Sequence, residues 1–569
     1  MRRKRWLAAV LAAGTACTAL FGCGSRQIVS TEVARSEESS EKEKQAWEEA
    51  KTTPYGKYPE LITYTLGKMT GGNRSNMPEQ DTYEDNVYTR YLRECLNIQN
   101  EDVFEAMEDQ YTANVDMVIA SGELPDVMVI EDRETLIRLA EGGMIADLSE
   151  ALENCASDGL KAMYDSYEVS ALDSAMIDGK LMALPEPSFV DGPNLLWLRR
   201  DWMDKLGLEA PNTIEDAVEI VRAFVEQDPG NNGEGNTIGL VCHSDLTGET
   251  GYRYEFQLNT FFASYNAFPK QWILQEDGTV VYGSVQPQVK EALAGVRKLY
   301  EEKLLDDSFM LRTMVNIAEL IVDGKCGSFF GPWWAPNNPL MEAMENNPDA
   351  VWEPYLIRTT EDGKLQYYDQ NPSYKYVVVR KDFEHPEIVF KMASVMFDKM
   401  RTEEHNEELA YYFQTNVDST ARPISINIDY SDALHRCYED INGALTGETD
   451  PDDLEVLEYA YYVKCKDYVD HSQSADAEAW AAYESRIRAC ALLDNKDLEV
   501  RSTAFSGETE TMRTKWSKLQ EMEKKLYLEV ITGVKDLDAF DRFVEEWMEA
   551  GGEQITREVT EAVQEAKGA

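Results

Sequence analysis

Positive charge is scarce in this chain. Against 105 Asp and Glu stand 55 Lys and Arg, giving a formal net charge of −50 over 569 residues. A field of that sign repels a phosphate backbone and an anionic membrane surface, so nucleic-acid binding and general docking on lipid headgroups are excluded. Histidine is rarer still: His243, His385, His405, His435 and His471 are isolated and show no metal-ligand spacing. No HExxH, GxSxG or GxxxxGK[ST] occurs, so the usual residues of zinc hydrolysis, serine acyl transfer and nucleotide hydrolysis are missing. Carboxylates are too numerous for a glycosidase acid–base pair to stand out. Cysteine offers no framework either. Cys95, Cys155, Cys242, Cys326, Cys437, Cys465 and Cys490 are scattered, odd in number and without a CxxC. A disulfide scaffold and a zinc site are unsupported, although one bridged pair stays open. Hydrophobic residues still make up 43% and aromatics 10%, enough for real cores, and the length suggests several domains or two large lobes.

The one long uncharged stretch lies at the start. Arg2, Arg3, Lys4 and Arg5 precede an apolar run from Trp6 to Gly22, too short for an ordinary span and flanked like an export signal. Leu20-Phe21-Gly22-Cys23 then resembles a bacterial lipobox, which implies a signal peptide over 1–22 and a lipid on Cys23. Phe21 is bulkier than the residue usual at that place. Residues 23–57 are rich in Ser, Glu and Lys and read as a flexible tether with a reach of roughly 30 Å.

Beyond the tether, short apolar strands alternate with helices, the pattern of an α/β protein. Strands are expected at Leu61–Leu66, Val127–Ile130, Leu195–Leu198, Cys326–Phe330 and Tyr376–Val379. Helices are expected at Asp85–Leu96, from Arg133 to Ala140, at Arg200–Leu206 ended by Gly207, and at Ile214–Glu226 behind the N-cap Thr213. The last 130 or so residues read as mostly helical, with Phe540, Phe543, Val544 and Trp547 on one face. Ligands of such sheets lie beyond the carboxyl ends of strands, which makes the loops at 67–76 and 131–133 candidates by position.

Several elements in this order resemble one family. Ser121-Gly122-Glu123-Leu124-Pro125-Asp126-Val127 resembles SGxLPDV, and Asp178 to Pro185 (DGKLMALP) resembles DGKxYALP. Asn194 to Pro211 (NLLWLRRDWMDKLGLEAP) and Gly324 to Pro332 (GKCGSFFGP) fit the same pattern, as does the tail from Phe505-Ser506-Gly507 to Glu558. The chain is similar to extracellular solute-binding protein family 1, in particular the LipO-like lipoproteins of Gram-positive sugar importers. The resemblance implies a type II periplasmic-binding fold with ligand between two lobes, placed at 58–190 with 370–430 and at 191–369 with 431–569. It implies a lipid-anchored, non-enzymatic receptor at the outer face of the cell membrane, delivering an oligosaccharide to the permease of an ABC transporter. A monomer is expected. A receptor for peptides or other solutes is the alternative within this class, and a carbohydrate-active enzyme the alternative outside it.

Sugar rings present apolar C–H faces and hydroxyls, which suit aromatic rings with a polar edge. Tyr252, Tyr254, Trp333, Trp334 and Tyr374 fall at expected strand ends or loops and are candidates, each against the plain reading of a buried core ring. Trp333 and Trp334 follow the Gly331-Pro332 turn, where the resemblance implies a sugar platform. If Trp333 begins a helical turn, Trp334 points about 100° away, so only one ring faces ligand. Asp132 and Arg133 follow a buried strand directly, and maltose-binding relatives imply an Asp–Arg pair there for sugar hydroxyls. The stretch Asp228 to Asn236 resembles a calcium loop, with Asp228, Asn232, Glu234 and Asn236 as ligands. Gly230 and Gly239 stand where carboxylates are needed, so weak calcium binding or none is expected, and no other cofactor.

Overall fold

Pro125 and the residues behind it show how the first sheet is built. Val127–Ile130 is apolar throughout and at most 1% exposed, as a strand covered on both faces must be. The computed structural model describes residues 41–167, 170–188, 192–248, 255–358, 365–368, 375–402, 406–472 and 476–568. Nine strands make its two main sheets. In chain order they are β1 (Ile62–Met69), β2 (Ile98–Ala106), β3 (Val127–Ile130), β4 (Leu184–Pro185) and β5 (Leu195–Arg199). There follow β6 (Ile238–Val241), β7 (Cys326–Gly331), β8 (Trp352–Tyr355) and β9 (Tyr376–Val379).

Sheet one runs β2-β1-β3-β9-β4 and sheet two β8-β5-β7-β6. In sheet one, β1 is parallel to β2 and β3, while β9 is antiparallel to β3 and β4. In sheet two, β7 is parallel to β6 and antiparallel to β5, which is antiparallel to β8. This pairing fixes how the sheets are joined. Pro185 ends β4 level with Tyr376, which is itself level with Ile130 at the carboxyl end of β3. Leu195 begins β5 level with Gly331 at the carboxyl end of β7, and Tyr355 ends β8 beside Leu196. Both passages, 186–194 and 356–375, therefore connect the carboxyl edge of sheet one to the carboxyl edge of sheet two.

Each sheet has its own core. Core one gathers residues from Ala50 to Leu184 and from Tyr376 to Ile428. Sheet two is packed on one side by Trp202, Phe224, Phe262 and the C-terminal helices through Phe540, Phe543 and Trp547. Its other side holds Trp197, Phe329, Trp352 and Trp480. A smaller helical cluster around Ile441, Tyr461 and Cys465 adjoins it. The expected α/β class and the expected strands and helices are present, with two differences. β1 runs on to Met69 because Gly67 and Lys68 are buried, and β2 was not anticipated. Its Asn100, Glu101, Asp102 and Glu105 hide a strand that is set by parallel pairing to β1.

The second half of the expected tether is not a tether. Residues 41–52 form a helix. Ala50 is fully buried, and the Trp47 ring stacks on His385 with centroids 5.9 Å apart. Lys391 donates to the Thr53 carbonyl at 2.6 Å, and the Tyr58 hydroxyl to Glu387 at 2.7 Å. A few apolar residues at helical spacing against core one outweigh the polar average of the segment. Six of the seven described cysteines are buried, which fits small hydrophobes.

Candidate functional site

The carboxyl edges of the two sheets, where both passages begin and end, are where a ligand of this architecture belongs. At the edge of sheet one, Asp132 caps the helix Arg133–Glu141, its Oδ1 accepting from Thr135 N at 2.6 Å. It is otherwise exposed. The Arg133 Nε donates to the Ser174 carbonyl at 3.0 Å, which fixes the guanidinium plane while leaving its terminal nitrogens for other work. The pair sits beside the second half of the molecule. Arg513 reaches Glu141 at the far end of the same helix (3.7 Å) and Glu508 (3.2 Å). Burial pushes the Glu508 carboxyl up, with Arg513 opposing, Glu134 adding and Arg133 opposing. Charges of both halves thus meet along one helix.

The loop after β1, a candidate by position, is closed. Gly71 has no room for a side chain, since a Cβ there would lie 2.4 Å from Asp418 and 2.5 Å from Thr420. Lys68 is fully buried and donates to the carbonyls of Thr420 and Arg422 at 2.5 and 2.6 Å and to Ser425 Oγ at 2.7 Å. Burial pulls its ammonium down to about 7, with Asp102, Asp418 and Glu105 opposing. The lysine ties the returning segment 418–425 to sheet one. A Lys at the end of an apolar strand is the only trace of this in the sequence.

At the edge of sheet two, β7 ends in Gly331-Pro332, and the Trp197 Nε1 donates to the Pro332 carbonyl at 3.1 Å. The two tryptophans that follow part ways. Trp333 is 8% exposed, and the Arg486 guanidinium lies 4.4 Å from its ring centroid. The same guanidinium is 4.0 Å from the Tyr461 ring centroid, so Trp333, Arg486 and Tyr461 form one buried cluster. Trp334 is only partly buried, at the margin of the same core. Trp333 is the packed ring and Trp334 the one left at the edge. Arg486, far along the chain, carried no mark in the sequence. Tyr252, Tyr254, Tyr374 and Cys23 lie outside the described residues.

The calcium-like stretch is closed on itself. The helix Ile214–Gln227 ends at Asp228, whose φ of 43° turns the chain. Its Oδ1 accepts from Asn232 N at 2.9 Å and the Thr237 hydroxyl at 2.6 Å, and its Oδ2 from Gly233 N at 2.9 Å. These bonds, that of Thr237 foremost, hold the carboxyl below its ordinary range. Asn232 and Asn236 turn amide N–H groups inward, to Thr237 Oγ1 and the carbonyls of Gly324 and Asn232. Glu234 is exposed. This donor set suits a hydrogen-bonded turn, not an oxygen cage for a hard cation. Elsewhere, among the described residues, His435, Glu439 and Asp494 are the one triple with ligand atoms within 4.8 Å, and all three are exposed.

Comparison with known proteins agrees with this architecture. Residues 74–399 match the family described as bacterial extracellular solute-binding protein. Lipoprotein LipO of Bacillus subtilis is 21% identical over 466 residues, which cover 81% of this chain and 85% of LipO. Among solved structures, the alginate-binding protein AlgQ2 without calcium ion superposes with a TM-score of 0.59 at 15% identity, over 89% of this chain and 98% of its own. An EF-hand mutant of the Streptococcus pneumoniae ABC-transporter substrate-binding protein FusA, in complex with fructo-nystose, gives 0.58 at 13% identity, over 89% and 99%. The two likenesses establish the mixed α/β fold, and the family is one of solute receptors, not enzymes. The chain belongs to the bacterial extracellular solute-binding protein family.

Proposed function

We propose that this receptor captures an oligosaccharide between the facing edges of its two sheets and hands it to the permease of an ABC importer. The observation that carries the reading is Trp334. It is a large ring left partly exposed just past the carboxyl end of β7, next in the chain to the buried Trp333. A flat apolar surface with a polar edge is what a sugar ring stacks on. Asp132 and Arg133, at the opposite edge, would supply an acceptor and a donor fork for hydroxyls. Tyr252, Tyr254 and Tyr374 are proposed to complete the lining. The relatives support a carbohydrate: AlgQ2 is named for alginate, and FusA is bound to fructo-nystose. Ligand touching both edges favours the closed arrangement, which is population shift by differential contact. We further propose that a lipid on Cys23 holds the protein at the outer face of the membrane.

A glycan panel read by thermal shift and intrinsic tryptophan fluorescence tests the reading. A correct oligosaccharide at 100 times its Kd adds about 2.7 kcal/mol of stability and leaves no product. A panel in which peptides raise the melting temperature and no glycan does would replace the sugar with a peptide.

A further inference from the structure

Residues 427–432 carry the chain from core one toward the core of sheet two, and the helix Val456–His471 then comes back against core one at Val456. Ile426 and Ile428 still pack in core one, whereas Leu434 packs with sheet two. Polar contacts pin this passage. Ser431 N donates to Ser166 Oγ and Ser431 Oγ to the Ser166 carbonyl, both at 2.9 Å, and the Tyr167 hydroxyl donates to the Asp429 carbonyl at 2.9 Å. The Asp429 carboxylate pairs with Arg401, which follows the core-one residue Met400, and each side chain is 17% exposed. Packed beside them is Glu458 of the helix Val456–His471. It is 7% exposed, and its Oε2 is enclosed and receives no hydrogen bond.

The charges do not balance. Around Glu458 stand Arg401, Asp429 and Glu455. Next to these, Cys437 faces Glu458, Asp429 and Arg401 together with Arg486. Arg486 lies against the Trp333 and Tyr461 rings, and Arg436 pairs with Asp432 at 2.7 Å. Arg401 is thus the guanidinium that faces Glu458, and it is bound to Asp429, which Arg436 also faces. An ionised Glu458 would be a second enclosed negative charge with one oxygen left without a donor, which is costly.

We propose that Glu458 is a proton-operated clasp on the passage between the two halves of the molecule. As the neutral acid it leaves the Arg401–Asp429 pair undisturbed; as the carboxylate it competes for Arg401 and loosens residues 427–432. Burial raises its titration to about 7, with Arg401 opposing and Glu455 and Asp429 adding. The folded value lies above the unfolded one, so the clasp's contribution is present at acid pH and is lost as pH rises through about 7.

Hydrogen exchange by mass spectrometry on the full chain, corrected for intrinsic rates, tests this without any ligand. Between pH 6 and 8.5, protection of amides in 427–432 should fall about tenfold, the linkage expected when opening returns Glu458 to an ordinary carboxyl. Glu458→Gln should remove that dependence. Glu484→Gln should keep it, because Glu484 is equally buried but shares Arg488 with Glu353, away from the passage. Asp429→Asn releases Arg401 to Glu458 and should flatten the profile across this range, which tests the idea even if Glu458→Gln does not fold. Unchanged protection across the range in the parent protein, or a parent-like profile in either Glu458→Gln or Asp429→Asn, overturns the proposal.

Discussion

Trp333 and Trp334 are neighbours in the chain with different work to do. Trp333→Ala empties a buried site beside Arg486 and should cost about 3–5 kcal/mol of stability, read by urea denaturation. Trp334→Ala should leave the fold intact and weaken binding of the identified glycan by about 5- to 150-fold, read by calorimetry. Parent-like binding by a folded Trp334→Ala would remove that ring from the site. Glu484 makes a pH prediction. It is 1% exposed and sees Arg488 at 3.4 Å, but that arginine is closer to Glu353, at 2.6 Å. Burial raises its carboxyl to about 8, with Arg488 opposing and Glu353 adding. Its folded value exceeds the unfolded one, so its contribution is full at acid pH and disappears as pH rises toward 8. Urea midpoints at pH 5, 6.5 and 8 should therefore fall less steeply in Glu484→Gln than in the parent; equal slopes would contradict this. None of these environments could be read from residue type. Adjacent tryptophans look alike on paper, and a Glu among 105 acids carries no label.

Local elements were more legible, because their causes are local. The helix Ile214–Gln227 begins at Thr213 with Asp216 closing a capping box, three residues apart as a reader of sequence would ask. The turn after it was legible as a calcium-like pattern short of carboxylates, and the structure closes it with hydrogen bonds on Asp228. Asp228 gathers Asn232 N, Gly233 N and the Thr237 hydroxyl. Melting should accordingly be the same with calcium and with chelator. Asp228→Ala should lower stability by about 1–3 kcal/mol in both, since three donors lose their acceptor. A chelator-induced drop that Asp228→Ala abolishes would show a real ion site. Two elements were not legible. β2 looks polar because its pairing uses backbone groups, and its register with β1 shifts at Gly67, where the Phe104 ring leaves only 2.8 Å for a Cβ. The helix at 41–52 was hidden in a tether-like composition that its contacts with His385 and core one overrule.

At the scale of the molecule, two sheets linked by the passages between them make the fold of a receptor, and the lipid proposed on Cys23 would act on attachment alone. Cys23→Ser should release a folded protein with parent-like glycan binding, or leave uncleaved precursor, as fractionation and mass spectrometry would show. A cleaved variant that stays equally tight on the membrane would exclude the anchor. By itself, the sequence determined the α/β class, the strands with apolar runs, the capped helices, and the family, through motifs spread along the chain. Those depend on side-chain pattern over a few residues, and a linear text preserves such pattern. Only the tertiary structure decided which of two tryptophans is packed and that Arg486 is what it packs on. It also decided that Lys68 is a tie to residues 418–425, and that Glu458 shares its arginine with Asp429. Each of these depends on which distant segments meet. Meeting is settled by the burial of whole sheets and helices at once, a property of the fold as a unit and not of any stretch of chain.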